Sequence, residues 1–177
     1  EKYGIKIDSK DPKVQRILDE VKDREFSGYS YDGADASFEL LANRLLGKVP
    51  EYLRVKSYDV NVSKSDTIKT KAKVIFLIDG KEIDCYGEGN GPVNALDNAI
   101  RQNVDRLAKY SKYLKDLKLV DYKVRILNTG TEAVTRVSIE STDSKGKNWF
   151  TIGVSTNIID ASFKALIDSL DYKLFKD

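Results

Sequence analysis

The sequence predicts an α+β protein in which a duplicated βββα unit follows a small helical subdomain. Apolar residues recur at helical spacing as far as about residue 50. Beyond that point the hydrophobic period falls to two and then returns to about 3.6, and this change occurs twice. The second occurrence follows the first by 66 residues, as Gly146 follows Gly80, which indicates an internal repeat.

The helical subdomain is expected to occupy residues 1–50. Its first helix is predicted over residues 11–26, where Pro12 is suited to the first turn. Its second helix is predicted over residues 34–46 and ends before Gly47, because glycine commonly follows the last residue of a helix.

The first βββα unit is expected over residues 51–116. Alternating apolar residues predict three strands, at residues 55–62, 68–78 and 82–86. Asp79 and Gly80 between the last two strands are a strong signal for a tight hairpin, which implies an antiparallel sheet. One apolar stripe then runs from Pro92 to Leu114 and predicts a single long helix.

The second βββα unit is expected over residues 117–177. Its strands are predicted at residues 119–127, 133–141 and 148–154, and a helical stripe follows from Ile159 to Leu170. Five identities support the repeat at the same offset: Gly80 with Gly146, Lys81 with Lys147, Gly87 with Gly153, Ala95 with Ala161, and Ala99 with Ala165. A three-stranded sheet with one helix is too thin to bury both sheet faces, so the two units are expected to share a core.

Composition excludes several classes of function. The 30 basic and 28 acidic residues leave a formal charge of +2 without a long block of either sign, which disfavours nucleic acid and membrane partners. No apolar run is long enough to cross a bilayer. The single cysteine, Cys85, lies in a predicted strand and is expected to be a buried structural thiol in a cytoplasmic protein. The first residues contain neither a signal peptide nor an initiator methionine, so the chain is expected to be a fragment.

The chain contains no histidine. This absence removes the most common general base near neutral pH and the most common metal ligand. Serine or cysteine nucleophiles would therefore lack an imidazole partner, and the chain is expected to be non-catalytic and to hold no metal.

A glycine-rich loop, YGEGNGPVNA, joins a predicted strand to a predicted helix. Its glycines follow the pattern G-x-G-x-G-P, which differs from the dinucleotide fingerprint and from the P-loop. Free N–H groups at the helix start could bind a singly charged carboxylate, because Pro92 removes one donor and Glu88 disfavours phosphate. An equally supported interpretation is that the glycines only allow a tight turn.

Four segments resemble, in order, the C-terminal part of the 2-isopropylmalate synthase and citramalate synthase family. They are GYSYDGADASFELL, GEGNGPVNALDNAIR, LVDYKVRIL and WFTIGVSTNIIDASFKALIDSLDYKL. The first is similar to the family's helical linker, and the others are similar to its regulatory domain. Within the family, the amino-acid sequence of these segments is more similar to that of citramalate synthase.

The resemblance implies a linker subdomain at residues 1–50 and an allosteric regulatory domain at residues 51–177. Enzymes of this family condense acetyl-CoA with a 2-oxo acid in a metal-dependent TIM barrel, and citramalate synthase uses pyruvate. The histidine metal ligands of that barrel cannot lie in this chain. The barrel, its divalent metal and its acetyl-CoA are therefore expected in a missing part of the parent enzyme.

The resemblance also implies feedback inhibition by isoleucine, or by leucine if the parent is a 2-isopropylmalate synthase, close to a homodimer interface. In this view amides at the helix start bind the effector's carboxylate, and backbone carbonyls or Asn94 bind its ammonium group. Leu119 and Ile126 would surround its side chain. The full set of effector-binding residues implied by the motifs is Gly89, Gly91, Val93, Asn94, Leu119, Tyr122, Ile126, Thr131, Thr156 and Asn157.

Two other functions stay open on the sequence. The same fold could form a dimerisation module without a ligand. The lysine-rich segment after Pro92 could also bind RNA, although Asp97, Asp105 and Asp116 interrupt its basic face and favour a solvated surface.

Overall fold

The structure is a computed structural model that describes residues 11–128, 130 and 133–177. The elements in chain order are α1 (Pro12–Phe26), α2 (Asp35–Leu45), β1 (Arg54–Lys64), β2 (Ile68–Ile78), β3 (Lys81–Gly89), α3 (Pro92–Gln102), α4 (Ser111–Leu114), β4 (Lys118–Ile126), β5 (Thr135–Thr142), β6 (Asn148–Ser155) and α5 (Ile158–Lys176). Each group of three strands forms its own sheet, in the orders β1-β2-β3 and β4-β5-β6. The predicted α+β class, with duplicated βββα units after a helical linker, is confirmed.

The chain divides into two compact units, which are named here by their sheets. The β1–β3 unit comprises residues 51–118, 142–147 and 173–177. The β4–β6 unit comprises the described residues within the ranges 11–50, 119–141 and 148–172. The helical linker thus belongs to the same compact unit as the second sheet.

Residues that favour helix ends mark the start of α1 and the end of α2. The carboxylate of Asp11 accepts the N–H of Lys13 at 2.9 Å, and Pro12 occupies the first turn of α1. Such a cap satisfies one of the backbone donors that a helix start leaves free. After α2, Gly47 adopts a φ of +68°, which is favourable for glycine and ends the helix as predicted.

The β1–β3 unit is an antiparallel sheet with α3 on one face. Ile78 pairs with Lys81 across the turn, and both turn residues have positive φ, +49° at Asp79 and +78° at Gly80. This combination is the type I′ geometry that suits the twist of a two-residue hairpin, so the predicted hairpin is confirmed. The helix-facing side of β2 is buried, with Phe76 fully enclosed.

The predicted single helix from Pro92 to Leu114 is wrong. Helix α3 ends at Gln102, and two short 3₁₀ turns precede α4. The side chain of Asn103 donates to the carbonyls of Ala99 and Tyr86, both at 2.8 Å, and so offers the backbone an alternative to continued helix. Leu107 and Leu114 are nevertheless buried. The apolar stripe therefore predicted correctly that these residues are buried. They are brought to the core by turns, however, and not by a continuous helix.

The β4–β6 unit has a helix layer on each face of its sheet. On one face, the hydroxyl of Thr151 in β6 donates to the carbonyl of Ala165 in α5 at 2.8 Å. On the other face, Ile152 packs in a buried cluster with Tyr31, Ala34 and Leu41. The linker thus buries a sheet face that α5 alone leaves open.

Two glycines of the sequence repeat occupy equivalent positions in the two units. A Cβ atom on Gly87 would meet the backbone of Ala99 and lie 2.7 Å from the carbonyl of Ala95. A Cβ atom on Gly153 would meet the carbonyl of Ala161 and lie 2.8 Å from the backbone nitrogen of Ala165. These identities therefore follow from a close approach of helix and strand that is repeated within each unit.

Among the described residues, no helix combines the length and the apolarity that crossing a bilayer requires.

Candidate functional site

The start of α3 carries backbone donors that no side chain caps. Gly91 precedes the helix in an extended conformation, and Pro92 occupies its first turn. The first intrahelical bond runs from the N–H of Ala95 to the carbonyl of Gly91, at 2.9 Å. The N–H groups of Val93 and Asn94 precede that bond, so they have no acceptor within the helix. They also lie at the positive end of the helix dipole.

The glycine-rich loop is held against this helix start by two asparagines. The Oδ1 atom of Asn94 accepts the N–H of Asn90 at 3.1 Å, and the Nδ2 atom of Asn98 donates to the carbonyl of Glu88 at 2.8 Å. A Cβ atom on Gly89 would lie 2.6 Å from the backbone nitrogen of Ala95, whereas nothing lies within 4 Å of one on Gly91. The structure therefore brings the four predicted residues of this loop, Gly89, Gly91, Val93 and Asn94, to one helix start.

Thr70 is a polar residue of this region that the sequence interpretation missed. It pairs with Gly89 across β2 and β3 and is 1% exposed. Among the described residues, its hydroxyl has no hydrogen-bond partner. A buried hydroxyl without a hydrogen-bond partner costs free energy. A ligand bound beside the loop would supply the partner that the Thr70 hydroxyl lacks within the described part of the chain. The sequence offered one weak signal, a threonine in line with the buried side chains of β2.

Three of the predicted residues in the β4–β6 unit lie near the start of α5. The hydroxyl of Tyr122 lies 2.8 Å from the hydroxyl of Ser162, which joins β4 to this helix. The Oδ1 atom of Asn157 accepts the N–H groups of Ile159 at 2.8 Å and Asp160 at 3.2 Å. Asn157 is thus the cap of α5, and the exposed Thr156 precedes it.

The other predicted residues of this unit do not gather at one place. Leu119 and Ile126 are both in β4 but seven residues apart, so about 23 Å separates them and they point to opposite faces of the sheet. Ile126 is 67% exposed and Leu119 is half-buried. Thr131 lies outside the described residues.

The two helix starts therefore differ in what they can bind. The Asn157 side chain already occupies the first donors of α5, while the corresponding donors of α3 face an open loop. A carboxylate at the start of α3 would gain about 0.3–1 kcal/mol from the dipole, and more if it is partly buried. Chemically, this arrangement can bind an anion.

The remaining reactive group is Cys85, and its surroundings make it inert. The side chain is fully buried, and this burial raises the pKa of its thiol to about 11. The prediction of a buried structural thiol is confirmed. Among the described residues, no three His, Cys, Asp or Glu side chains are placed to hold a metal ion.

Comparison with known proteins identifies relatives over almost the whole chain. A family model described as the LeuA allosteric (dimerisation) domain matches residues 32–174. The (R)-citramalate synthases of Geobacter sulfurreducens and Aquifex aeolicus are each 45% identical to the chain over 99% of its length, which is 34% and 33% of theirs. A 2-isopropylmalate synthase of Clostridium acetobutylicum is 30% identical over 78% of this chain and 22% of its own.

The chain spans about a third of the length of the (R)-citramalate synthases that it matches. The family match, by contrast, includes α2, both sheets and most of α5. The resemblance that four sequence segments indicated is therefore confirmed, and this chain belongs to the LeuA allosteric (dimerisation) domain family.

Proposed function

We propose that this chain is the feedback-regulatory and dimerisation domain of a cytoplasmic (R)-citramalate synthase, and that isoleucine is its effector. The observation that carries the proposal is the uncapped start of α3, beside a buried hydroxyl, in a chain of an allosteric family. The parent enzyme would condense acetyl-CoA with pyruvate in a separate barrel that holds the divalent metal.

The effector's carboxylate would accept the N–H groups of Val93 and Asn94. Thr70, whose hydroxyl has no partner among the described residues, would donate to the same carboxylate or accept from the ammonium group. The Oδ1 atom of Asn94 bonds Asn90 but keeps a second lone pair, which suits an ammonium donor. Gly91 has no neighbour within 4 Å of a Cβ position, which leaves room for the ligand.

The side chain of the effector would be enclosed by residues from two copies of the chain. Leu119 and Ile126 lie too far apart in β4 to contact one ligand from the same copy. Strand β4 is an edge strand, and Val120, Val124 and Ile126 on it are each more than 40% exposed. An exposed apolar edge of this kind is suited to pairing with a second chain. A homodimer would thus complete the site.

Tyr122, Thr156 and Asn157 would shape the rim of the same site. Asn157 would act by fixing the start of α5, because its Oδ1 atom already accepts two backbone N–H groups. Thr131 belongs to the proposed set through the motif match alone. Effector binding would favour one arrangement of the dimer, and the linker helices would pass this bias to the barrel. Such coupling is typically about 1–3 kcal/mol.

Calorimetric titration of the chain with isoleucine, leucine and valine tests the proposal. We expect saturable binding with isoleucine bound most tightly, and a loss of affinity in Asn94→Ala but not in the exposed control Asn61→Ala. Tighter binding of leucine would instead assign the chain to a 2-isopropylmalate synthase. If none of the three binds and sedimentation still shows a dimer, the chain is a ligand-free dimerisation module.

A further inference from the structure

A cleft lies within the β4–β6 unit, and none of the proposed effector residues lines it. Its volume is about 430 Å³. The loop before α2 forms one wall, strands β4 and β5 form the other, and Ile152 contributes an apolar surface. The cleft is thus a separate candidate site on the linker side of the second sheet.

Three basic side chains line the strand wall, namely Lys123 and Arg125 on β4 and Arg136 on β5. The N–H of Leu127 donates to the carbonyl of Val134 at 2.9 Å. Counting back along the antiparallel strands from this bond places Arg125 opposite Arg136. Like charges at directly opposed positions of a sheet are destabilising, so this pair needs a compensating negative charge.

The described part of the protein supplies little of that compensation. Arg136 donates from Nε to the carbonyl of Gly28 at 2.7 Å, a neutral partner. Lys123 is paired with Asp121 at 2.7 Å. Arg125 forms no ion pair with any described residue. Partial burial and then the charge of Arg125 lower the pKa of Arg136, which agrees with two neighbouring cations that lack a shared anion.

The other polar groups of the cleft complete a site for a small ligand. The hydroxyls of Ser30 and Ser138 can donate, and Asp32 is the one acidic residue among the described side chains that line the cleft. Three cations against one carboxylate leave the lining positively charged. Arginine is suited to such a site because its planar guanidinium binds an oxyanion through two parallel hydrogen bonds.

We propose that this cleft binds a small oxyanion, carboxylate or phosphate, between Arg125 and Arg136. Binding would replace the repulsion between the two guanidinium groups with two charge-assisted interactions. Asp32 would face the same ligand and weaken its binding by charge repulsion. The site therefore favours ligands whose negative charge does not contact Asp32. The proposal does not depend on the effector site at α3.

Calorimetric titration of the chain at low salt, with pyrophosphate and with succinate, tests the site. We expect saturable anion binding that depends on Arg125, and the relative affinity of the two probes distinguishes a phosphate ligand from a carboxylate ligand. Arg125→Gln is expected to weaken binding about tenfold, since it removes one of the two forks. Arg54→Gln, which changes an exposed arginine in the other unit, is expected to leave the affinity unchanged.

A second variant, which is expected to tighten binding, distinguishes a specific effect on the site from a general loss of structure. Asp32→Asn removes the opposing negative charge and is expected to tighten binding about threefold at low salt. The proposal is overturned if neither probe binds saturably, or if Arg125→Gln and Arg54→Gln weaken binding equally. Saturable binding of an acidic peptide, such as tetraglutamate, without binding of either small anion would also overturn it in favour of a protein partner.

Discussion

The Nζ atom of Lys173 lies 2.7 Å from the Oδ2 atom of Asp143, and both side chains are almost fully buried, at 3% and 1% exposed. Lys173 also lies 2.6 Å from the carboxylate of Asp177 and 3.7 Å from that of Asp116. These four residues come from the end of α5, the β5–β6 turn and the segment before β4. The cluster therefore anchors the last turn of α5 by charge.

Replacing Lys173 with methionine is expected to destabilise the protein by about 3 kcal/mol, because it leaves buried carboxylates without their cation. The measurement is urea denaturation followed by circular dichroism. Lys145→Met is the control, since Lys145 pairs with Asp177 from an exposed position and should cost less than about 1 kcal/mol. Equal losses in the two variants would mean that the buried cluster has no special role.

The same cluster predicts how stability depends on pH. Burial alone would raise the pKa of Asp143, but hydrogen bonds from Lys173 and from backbone N–H groups hold that pKa below its ordinary value of 3.8. A lowered pKa contributes stability that is present above pH 3.8 and is lost as pH falls through the lower folded value.

The pKa of Lys173 shifts in the opposite direction. Burial would lower it, but bonds to Asp143 and Asp177 hold it above 10.5, so its contribution is full below pH 10.5 and is lost on further increase. The unfolding free energy attributable to the cluster should therefore be level between these limits and fall beyond each. Denaturation of Lys173→Met over the same pH series should show a smaller alkaline decrease than the unsubstituted chain, because the buried Tyr31 and Tyr172, whose pKa values are also raised, still lower the stability at high pH. An unchanged decrease would contradict the assignment.

Adding a methyl group to Gly153 is expected to destabilise the protein by about 3 kcal/mol. The new Cβ atom of Gly153→Ala would meet the backbone of α5, which can move only by separating from the sheet. Gly87→Ala should act in the same way in the other unit. Gly91→Ala is the matched control, since its Cβ atom would meet nothing and its backbone is extended. Thermal denaturation of the three variants compares them directly.

Ser37→Ala is expected to cost about 1–3 kcal/mol. The hydroxyl of Ser37 accepts the N–H of Ile152 on the edge strand β6 at 2.9 Å and donates to Asp168 at 3.0 Å. The variant would leave a buried backbone N–H without an acceptor. Urea denaturation should show this loss, whereas the exposed control Ser63→Ala should change stability by less than about 0.5 kcal/mol.

Thr70→Val is expected to lower the affinity for the effector without lowering the stability of the protein. If the hydroxyl of Thr70 serves the effector, its removal should weaken isoleucine binding about fivefold while leaving the protein equally stable or more stable. The reason is that a buried hydroxyl without a partner costs free energy in the unliganded chain. Calorimetry and thermal denaturation of the same sample measure both effects. Unchanged affinity with higher stability would remove Thr70 from the site.

Much of this architecture was predictable because it depends on short-range patterns. The alternation of apolar residues located all six strands, and Asp79-Gly80 identified the hairpin by its turn chemistry. The continuous helix after Pro92 failed because an apolar stripe reports burial, whereas Asn103 ends the helix through its own side-chain bonds. Local competition of this kind leaves little trace in hydrophobic periodicity.

The candidate sites were less predictable for a different reason. Glycine and proline marked the loop before α3, so its residues could be named in advance. The unpartnered hydroxyl of Thr70 depends on which groups surround it in space, and no spacing rule reports that. The opposition of Arg125 and Arg136 likewise depends on the register of two strands, which a sequence pattern leaves open.

The chain contains one tryptophan and one cysteine, and each lies in a different compact unit. The indole of Trp149 donates to the hydroxyl of Ser169 at 3.1 Å, so its fluorescence reports the environment of the β4–β6 unit. Cys85 is enclosed in the β1–β3 unit, so its rate of alkylation reports the opening of that unit. A single sample of unlabelled protein can therefore reveal whether the two units unfold in one cooperative transition or in two.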